Sequence, residues 1–414
     1  MVRKSRCKAK TETPPSSTSV PPPPPVEPKS MAPIDALPED HLRDILRRLS
    51  PADLLRAALA CHRWRRLASR CRARAPPLLG YFVHPMETER THDDAVFVPL
   101  DASVPRLSLD FAPDASDFQV YDSHQGLLLL QPDVNLPKGI LPRFLVLDPA
   151  TRRRALLPPP PRGTVPDDRV WRKSRHYVGS ALLSRAHPSK LCFEAICFAI
   201  DEGHPRAWIA SVDDGHCSWR ALPRDEDVVV DFHPWWFEGR CVHAAGKIYW
   251  HICNSTDRIL SLDPSTLQFS YLPVPAEVGY NFSKYRIGET PEDGRLCMVT
   301  EGDSHVQLWV RGESRWSDKG WDLERNIVDM RALCDMIPGL PSDPEIRTLN
   351  VWPSDMDPGR SGKVFINTLG SGRYSFHPGT GKLERLSTEG GKDYGHPIFA
   401  YFLAWPPAFL APEY

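Results

Sequence analysis

Two stretches decide the fold: "RFLVLDPATRRRALLPPP" at residues 143–160 and "RILSLDPSTLQFSYLPVP" at residues 258–275. Each reads as a short apolar strand, a tight turn opened by Asp-Pro, and a second strand that closes near Leu-Pro. Proline after Asp presets the turn, and the flanking alternation suits a pleated, half-buried ribbon. "RYSFHPGTGKLERLS" (373–387) and "WIASVDDGHCSWRALP" (208–223) are looser versions of the same unit. A Gly-led strand precedes three of the four: "QGLLLLQ", "AGKIYWHI" and "SGKVFINT". The turn anchors Asp148, Asp213, Asp263 and His377 are separated by 65, 50 and 114 residues, and "HVQLWVRGESRWS" (305–317) divides the last gap. A unit of about 50 residues with insertions is the period of kelch-type propeller blades.

Working outward, the whole chain from about residue 77 has this texture. Short apolar or alternating runs are separated by Gly, Pro, Asp and Asn, and the one helical run is short, near "VDMRALCDMI". Residues 77–414 are therefore expected to form a mainly-β domain, a propeller of six or seven blades. The alternative is a two-sheet sandwich. "LLGYFVHP" (78–85) and "FAYFLAWPP" (399–407) resemble each other and are expected to pair as first and last strands, so that no long sheet edge is left bare.

The front of the chain differs. In "LPEDHLRDILRRLSPADLLRAALACHRWRRLASRC" (37–71), Leu42, Ile45, Leu46 and Leu49 fall at i, i+3, i+4 and i+7, one face of a helix. Ser50, Pro51 and Asp53 can open a second helix, and Leu54, Leu55, Ala58, Cys61, Trp64 and Leu67 continue the apolar stripe. So small a block supplies only a few kcal/mol from its own core. Its leucines pack either on the rest of the chain or on a partner.

The order Leu37-Pro38-Glu39, Leu42, Ile45-Leu46, Leu49, Asp53-Leu54-Leu55, Cys61 and Trp64-Arg65 resembles an F-box over residues 34–76, with Ala60 where that family more often has Val. Together with "YDSHQGLLLL" and the Leu-Asp-Pro repeat, the chain resembles plant F-box proteins, especially grass families with an F-box-associated, kelch-like β-propeller. The fold expectation is thus α+β multidomain: an all-α F-box block, then a mainly-β propeller. The resemblance implies docking on a Skp-type linker, and through it on cullin, in an SCF-type ubiquitin ligase. Leu37, Pro38, Leu42, Ile45, Leu46, Leu54 and Leu55 would be the linker contacts, and the β-domain would capture an unknown target protein. The same frame leaves open a ligase-independent scaffold, or a propeller enzyme or glycan-binding protein whose helices pack in cis.

Composition narrows the rest. Net charge is −1, and the arginines of the helical block accompany no recognition motif, so nucleic acid is not the expected partner. No run of 18 apolar residues is present, so no membrane helix is expected. The N-terminal "MVRKSRCKAK" lacks an apolar stretch and is not read as a secretory signal. Its basic residues fit either a nuclear-import signal or a solubilising terminus. Residues 1–33 are Pro-rich and expected to be a disordered arm. Ten cysteines with no C-x-x-C read as reduced thiols in the cytoplasm or nucleus, with no structural metal.

A search for chemistry yields no nucleophile elbow, no H-E-x-x-H motif, no cofactor signature and no catalytic residue. The histidines look scattered, without ligand spacing. "HPGTGK" ends like a phosphate loop, but Phe376 stands where the first Gly belongs, and the run reads as a hairpin turn. Two loops are candidate target-binding elements: "DFHPWWFEG", with His233, Trp235 and Trp236, and the basic insert holding Trp171 and Arg172. The first of these fits equally a plug between blades.

Overall fold

The computed structural model describes residues 37–404, apart from 50–52, 54–56, 59, 69–75, 77, 87–93, 101, 103, 105, 133–135, 165–173, 188–189, 214, 239, 253–257, 276–284, 303, 313–316 and 358–360. Helices α1 (Glu39–Arg48) and α2 (His62–Ala68) are described ahead of a ring of six antiparallel sheets.

The first sheet joins the two ends of the chain: β1 (Leu78–Met86), β2 (Val96–Pro99) and β23 (Asp393–Phe402), in the order β2-β1-β23. Five four-stranded sheets follow in chain order. The second holds β3 (Phe118–His124), β4 (Leu127–Pro132), β5 (Phe144–Asp148) and β6 (Arg153–Leu157). The third holds β7 (His176–His187), β8 (Cys192–Asp201), β9 (His204–Asp213) and β10 (His216–Ala221). The fourth holds β11 (Val242–Ala244), β12 (Lys247–Trp250), β13 (Arg258–Asp263) and β14 (Gln268–Pro273). The fifth holds β15 (Tyr285–Glu289), β16 (Leu296–Glu301), β17 (His305–Arg311) and β18 (Trp321–Asp329). The sixth holds β19 (Val351–Met356), β20 (Val364–Thr368), β21 (Arg373–His377) and β22 (Lys382–Arg385). Strands β3, β7, β11, β15, β19 and β23 each sit at one edge of their sheet; β23 touches β3, β3 touches β7, β11 touches β15, β15 touches β19 and β19 touches β23, so they line a common axis. This is a six-bladed β-propeller. It closes as expected, with Phe82 opposite Phe399 and Tyr81 opposite Ala400.

The repeat has a physical basis at each corner. Asp148 accepts the Thr151 N–H at 3.1 Å, and Asp263 accepts the Ser265 N–H at 2.9 Å. Four residues after each Asp, Arg152 and Leu267 take positive φ, +56° and +60°, which turns the chain into the next strand. In "HPGTGK" the same frame recurs: the His377 Nδ1 accepts the Gly379 N–H at 3.1 Å, and Gly381 supplies the left-handed residue at +68°. The motif is thus a hairpin turn in which a His ring replaces the Asp carboxylate. The Gly-led strands follow two-residue turns at Gln125-Gly126 and Ala245-Gly246, where both φ values are positive, as a tight hairpin of this hand requires.

A second repeat ties blade to blade. The His84 Nε2, on β1, accepts the Val120 N–H of the next blade at 3.2 Å. The His251 Nε2, just after β12, accepts the Ile287 N–H of the next blade at 3.3 Å. "YFVHP" and "IYWHI" are therefore equivalent positions.

The core is divided among the blade interfaces. Six apolar clusters each draw residues from two neighbouring blades, one for every junction of the ring. Trp208, Trp250 and Trp321 are fully buried in three of them. Between β18 and β19 the chain inserts α3 (Met330–Asp335), at the position where the sequence shows a helical run, and α4 (Pro344–Leu349), whose start the periodicity does not mark. Asp329 and Asp343 cap them by accepting backbone N–H bonds.

Candidate functional site

The helical block folds around its own small core. Leu42 and Leu46, one turn apart on α1, are 0% and 1% exposed. They pack with Ala58, Leu67 and Ala68, and with half-buried Leu37, Leu49 and Trp64; among the described residues no propeller residue joins this cluster. Glu39 in the first turn of α1 pairs with Arg66 of α2 at 2.6 Å, and Arg63 donates to the Leu37 carbonyl. Part of the arginine-rich surface thus serves the block itself. Ile45 points outward, 41% exposed, and Pro38 is exposed beside it. Leu42 and Leu46, expected from the sequence among the linker contacts, pack here in the cluster that includes Leu67 and Ala68 of α2. Leu54 and Leu55 lie outside the described residues.

On the propeller, the loop 222–241 runs from outer strand β10 to inner strand β11. In an antiparallel four-stranded sheet that connection lies on the face where inner strands begin. Its aromatics divide. Phe237 is buried between the third and fourth blades. Trp236 is 38% exposed and stacks on Phe232 with the rings 5° from parallel. The Arg258 guanidinium lies over both Phe232 and Tyr271. His233 is exposed and meets the ring of His176 edge-on. Trp235 occupies the same turn, Pro234–Trp236, but its side chain lies outside the described part, as do Trp171 and Arg172.

The axial channel holds a group that the sequence does not mark. The inner strands finish around a cavity of about 420 Å³. Its walls are largely apolar, with Leu183, Ile287, Met356 and Phe399, and its polar groups converge from separate strands: Asp122 and His124 from β3, Cys241 and His243 at β11. The buried Asp122 carboxylate accepts the Leu182 N–H at 2.8 Å and lies 3.0 Å from the His243 Nε2. The Cys241 Sγ is 3.9 Å from that same nitrogen. The rings of His124 and His243 stack 4.0 Å apart and 6° from parallel. His124 and His243, far apart in sequence, are thus brought together at the cavity. Burial pushes the His124 imidazole down to about 3, against the pull of Asp122, so it is neutral at physiological pH. Burial pushes the Asp122 carboxyl up, but its bonds to His243 and Leu182 outweigh this and hold it below the ordinary value.

Deeper in the channel, charge is paired between blades. Arg240 meets Asp355 at 2.7 Å, and Arg286 meets Glu238 at 3.0 Å. Burial raises the Glu238 carboxyl, yet Arg286, His251 and Arg240 overcome it and hold it at about 2. Burial lowers His251 to about 3 in spite of Glu238. Both folded-state values lie below the unfolded ones, so both contributions are complete at neutral pH and are lost on acidification. His251 acts first, from its ordinary 6.5 down to about 3. Its share is about 1.4 kcal/mol per pH unit in that window. The urea midpoint is expected to fall between pH 7.5 and 5.5. His251→Gln, which keeps an acceptor for the Ile287 N–H, is expected to lessen that dependence, with the buried His124 and His396, also lowered, supplying the rest; an unchanged slope would exclude His251 from it.

Residues 34–73 match the F-box-like family, and residues 119–350 match the family described as F-box protein AT5G49610-like, beta-propeller. No curated protein sequence matches the chain. Among solved structures, the chain is similar to the Cps50 (Swd1) beta-propeller domain of Myceliophteria thermophila, at 13% identity and a TM-score of 0.34, over 67% of this chain and 75% of that one. It is also similar to a luciferin-regenerating enzyme, at 9% identity and a TM-score of 0.35, over 65% and 76%. A puromycin hydrolase shows 12% identity and a TM-score of 0.32, over 66% and 39%. Overlaps this loose assign no activity. The propeller match spans more than half of the chain and lies behind an F-box-like segment, and on that ground the chain belongs to the AT5G49610-like family of F-box proteins with a β-propeller.

Proposed function

We propose that the chain is the target-recognition adaptor of an SCF-type ubiquitin ligase and performs no bond chemistry in that role. The observation that carries this is the pairing, on one chain, of an F-box-like helical unit with its own core and a ring with a core at every blade junction. The unit would dock on a Skp-type linker, and through it on cullin, using the exposed Ile45 and Pro38 and the half-buried Leu37, together with Leu54 and Leu55. Leu42 and Leu46 would hold the unit together behind that surface. Segments 34–76 and 77–414 are the corresponding functional units. The ring would hold a target protein near the ubiquitin-charged enzyme, and rate would come from proximity. His233 and Trp236 are the described candidates for target contact, with Trp235 beside them in sequence and Trp171 and Arg172 in the separate basic insert. The protein would act in the cytoplasm or nucleus, on the reading of its cysteines as reduced thiols.

The test is co-expression of the full chain with a plant Skp-type linker and cullin. A complex containing all three is expected. Linker binding without cullin would instead mark a scaffold outside the ligase. Failure to bind the linker at all would overturn the adaptor reading.

A further inference from the structure

Three groups at the end of the propeller axis have the composition of a transition-metal site. Asp122 comes from β3 and Cys241 and His243 from the strand opening the fourth blade, so the third blade stands between them around the ring. Local devices bring them together. A bulge between Val120 and Asp122 shifts the register of β3 against β4 and re-aims the strand's end. Cys241 and His243 are two residues apart on an extended chain and so share a face.

We propose that Asp122, Cys241 and His243 bind a zinc-class divalent metal, with one coordination position open to the axial cavity. The three ligand atoms lie within 4.8 Å of one another. Zinc bonds of about 2.0–2.2 Å to N and O and about 2.3 Å to S set tetrahedral edges of about 3.3 Å for N–O and about 3.6 Å for N–S. The corresponding separations are 3.0 and 3.9 Å, each within a few tenths of an ångström of the tetrahedral edge. A thiolate, an imidazole and a carboxylate together favour zinc over magnesium or calcium, which take oxygen ligands.

The surroundings fit the same role. The Leu182 N–H fixes the Asp122 carboxylate at 2.8 Å, and the stacked His124 ring fixes the plane of His243. Three protein ligands leave the fourth vertex for water or for a donor atom of a bound molecule. The cavity of about 420 Å³ has room for either. A metal here would also clasp two blades that share no sheet, and so stabilise the ring. The inference is independent of the ligase reading and holds whether or not the chain joins a cullin.

The full chain, stripped with chelator and desalted, is titrated with Zn²⁺ and separately with Co²⁺. One retained equivalent per chain is expected, with a rise in Tm, and a thiolate-to-cobalt charge-transfer band in the near ultraviolet. Cys241→Ser and His243→Gln should each lose the retained equivalent, and the band should vanish in Cys241→Ser. Cys197→Ser, at a buried thiol outside this group, should keep both. Binding below one equivalent, or a band that survives Cys241→Ser, overturns the proposal and leaves an Asp–His hydrogen bond beside a thiol. Should a site variant fail to fold, X-ray absorption at the zinc edge of the wild-type chain decides. One sulfur among N/O ligands supports the site, and an all-N/O shell or several sulfurs overturns it.

Discussion

Leu46→Asp is expected to unfold the helical block, whereas Ile45→Asp, one residue away, is expected to leave it folded and abolish capture by a Skp-type linker. The difference follows from exposure. Leu46 is 1% exposed and packed in the cluster that joins α1 to α2. Loss of a buried leucine costs about 2–5 kcal/mol, and placing a carboxylate there adds the cost of burying a charge without a partner. A block of this size has a few kcal/mol in total. The helices should therefore become protease-sensitive in Leu46→Asp while the propeller stays resistant. Ile45 is 41% exposed, and Asp at that position meets water in the unbound chain. On docking, the charge would be carried into an apolar interface. A penalty of about 3 kcal/mol already lowers affinity more than 100-fold. Limited proteolysis and co-purification read the two effects separately. If Ile45→Asp binds as the wild type does, the outward face of α1 is not the docking surface.

The two residues also show how far sequence carries. Spacing put Leu42, Ile45, Leu46 and Leu49 on one side of a helix, which was enough to find the helix and the F-box frame. It did not separate the residues that meet α2 from those that face outward, because that depends on the angle between the helices. The propeller was legible for a different reason. Its Asp-Pro turns are local, and each carries its own geometry in four or five residues, so the repeat survives insertions. Blade number became definite only with the pairing of β1 and β23, which are over 300 residues apart. The axial group was invisible for the same reason. Asp122 and His124 sit in "YDSHQG" and Cys241 and His243 in "CVHA", two ordinary-looking strands on non-adjacent blades. The one available signal was the alternation of ionisable or thiol side chains, two residues apart, on strands otherwise apolar. In "DFHPWWFEG" composition marked the loop, but only packing distinguished buried Phe237 from half-open Trp236.

Asp148→Ala is expected to cost the propeller about 3–5 kcal/mol, and a second substitution, Arg185→Leu, is expected to restore much of it. Asp148 closes β5 of the second blade and Arg185 lies on β7 of the third, so the pair spans a blade junction. Their side chains are 1% and 4% exposed and meet at 2.5 Å. The guanidinium also donates to the carbonyls of His187 and Gln125, at 3.2 and 3.4 Å. The Arg185 backbone N–H binds the Gln125 side chain at 2.7 Å. Carbonyls satisfy its hydrogens without cancelling its charge. Removing the carboxylate therefore leaves a cation in the interior, the situation in which a broken buried pair is most costly. It also removes the acceptor of the Thr151 N–H, which opens the Asp-Pro turn. Arg185→Leu in the Asp148→Ala background takes the stranded cation away and leaves apolar volume; the opened turn and the lost donors to the His187 and Gln125 carbonyls remain. A urea unfolding cycle over the two single variants and the double variant measures this. The double variant should be more stable than Asp148→Ala alone. Additive losses would mean that each group acts through its local contacts, and that the junction owes its stability to the apolar cluster of Leu129, Val146, Ala195 and Trp208 rather than to the ion pair.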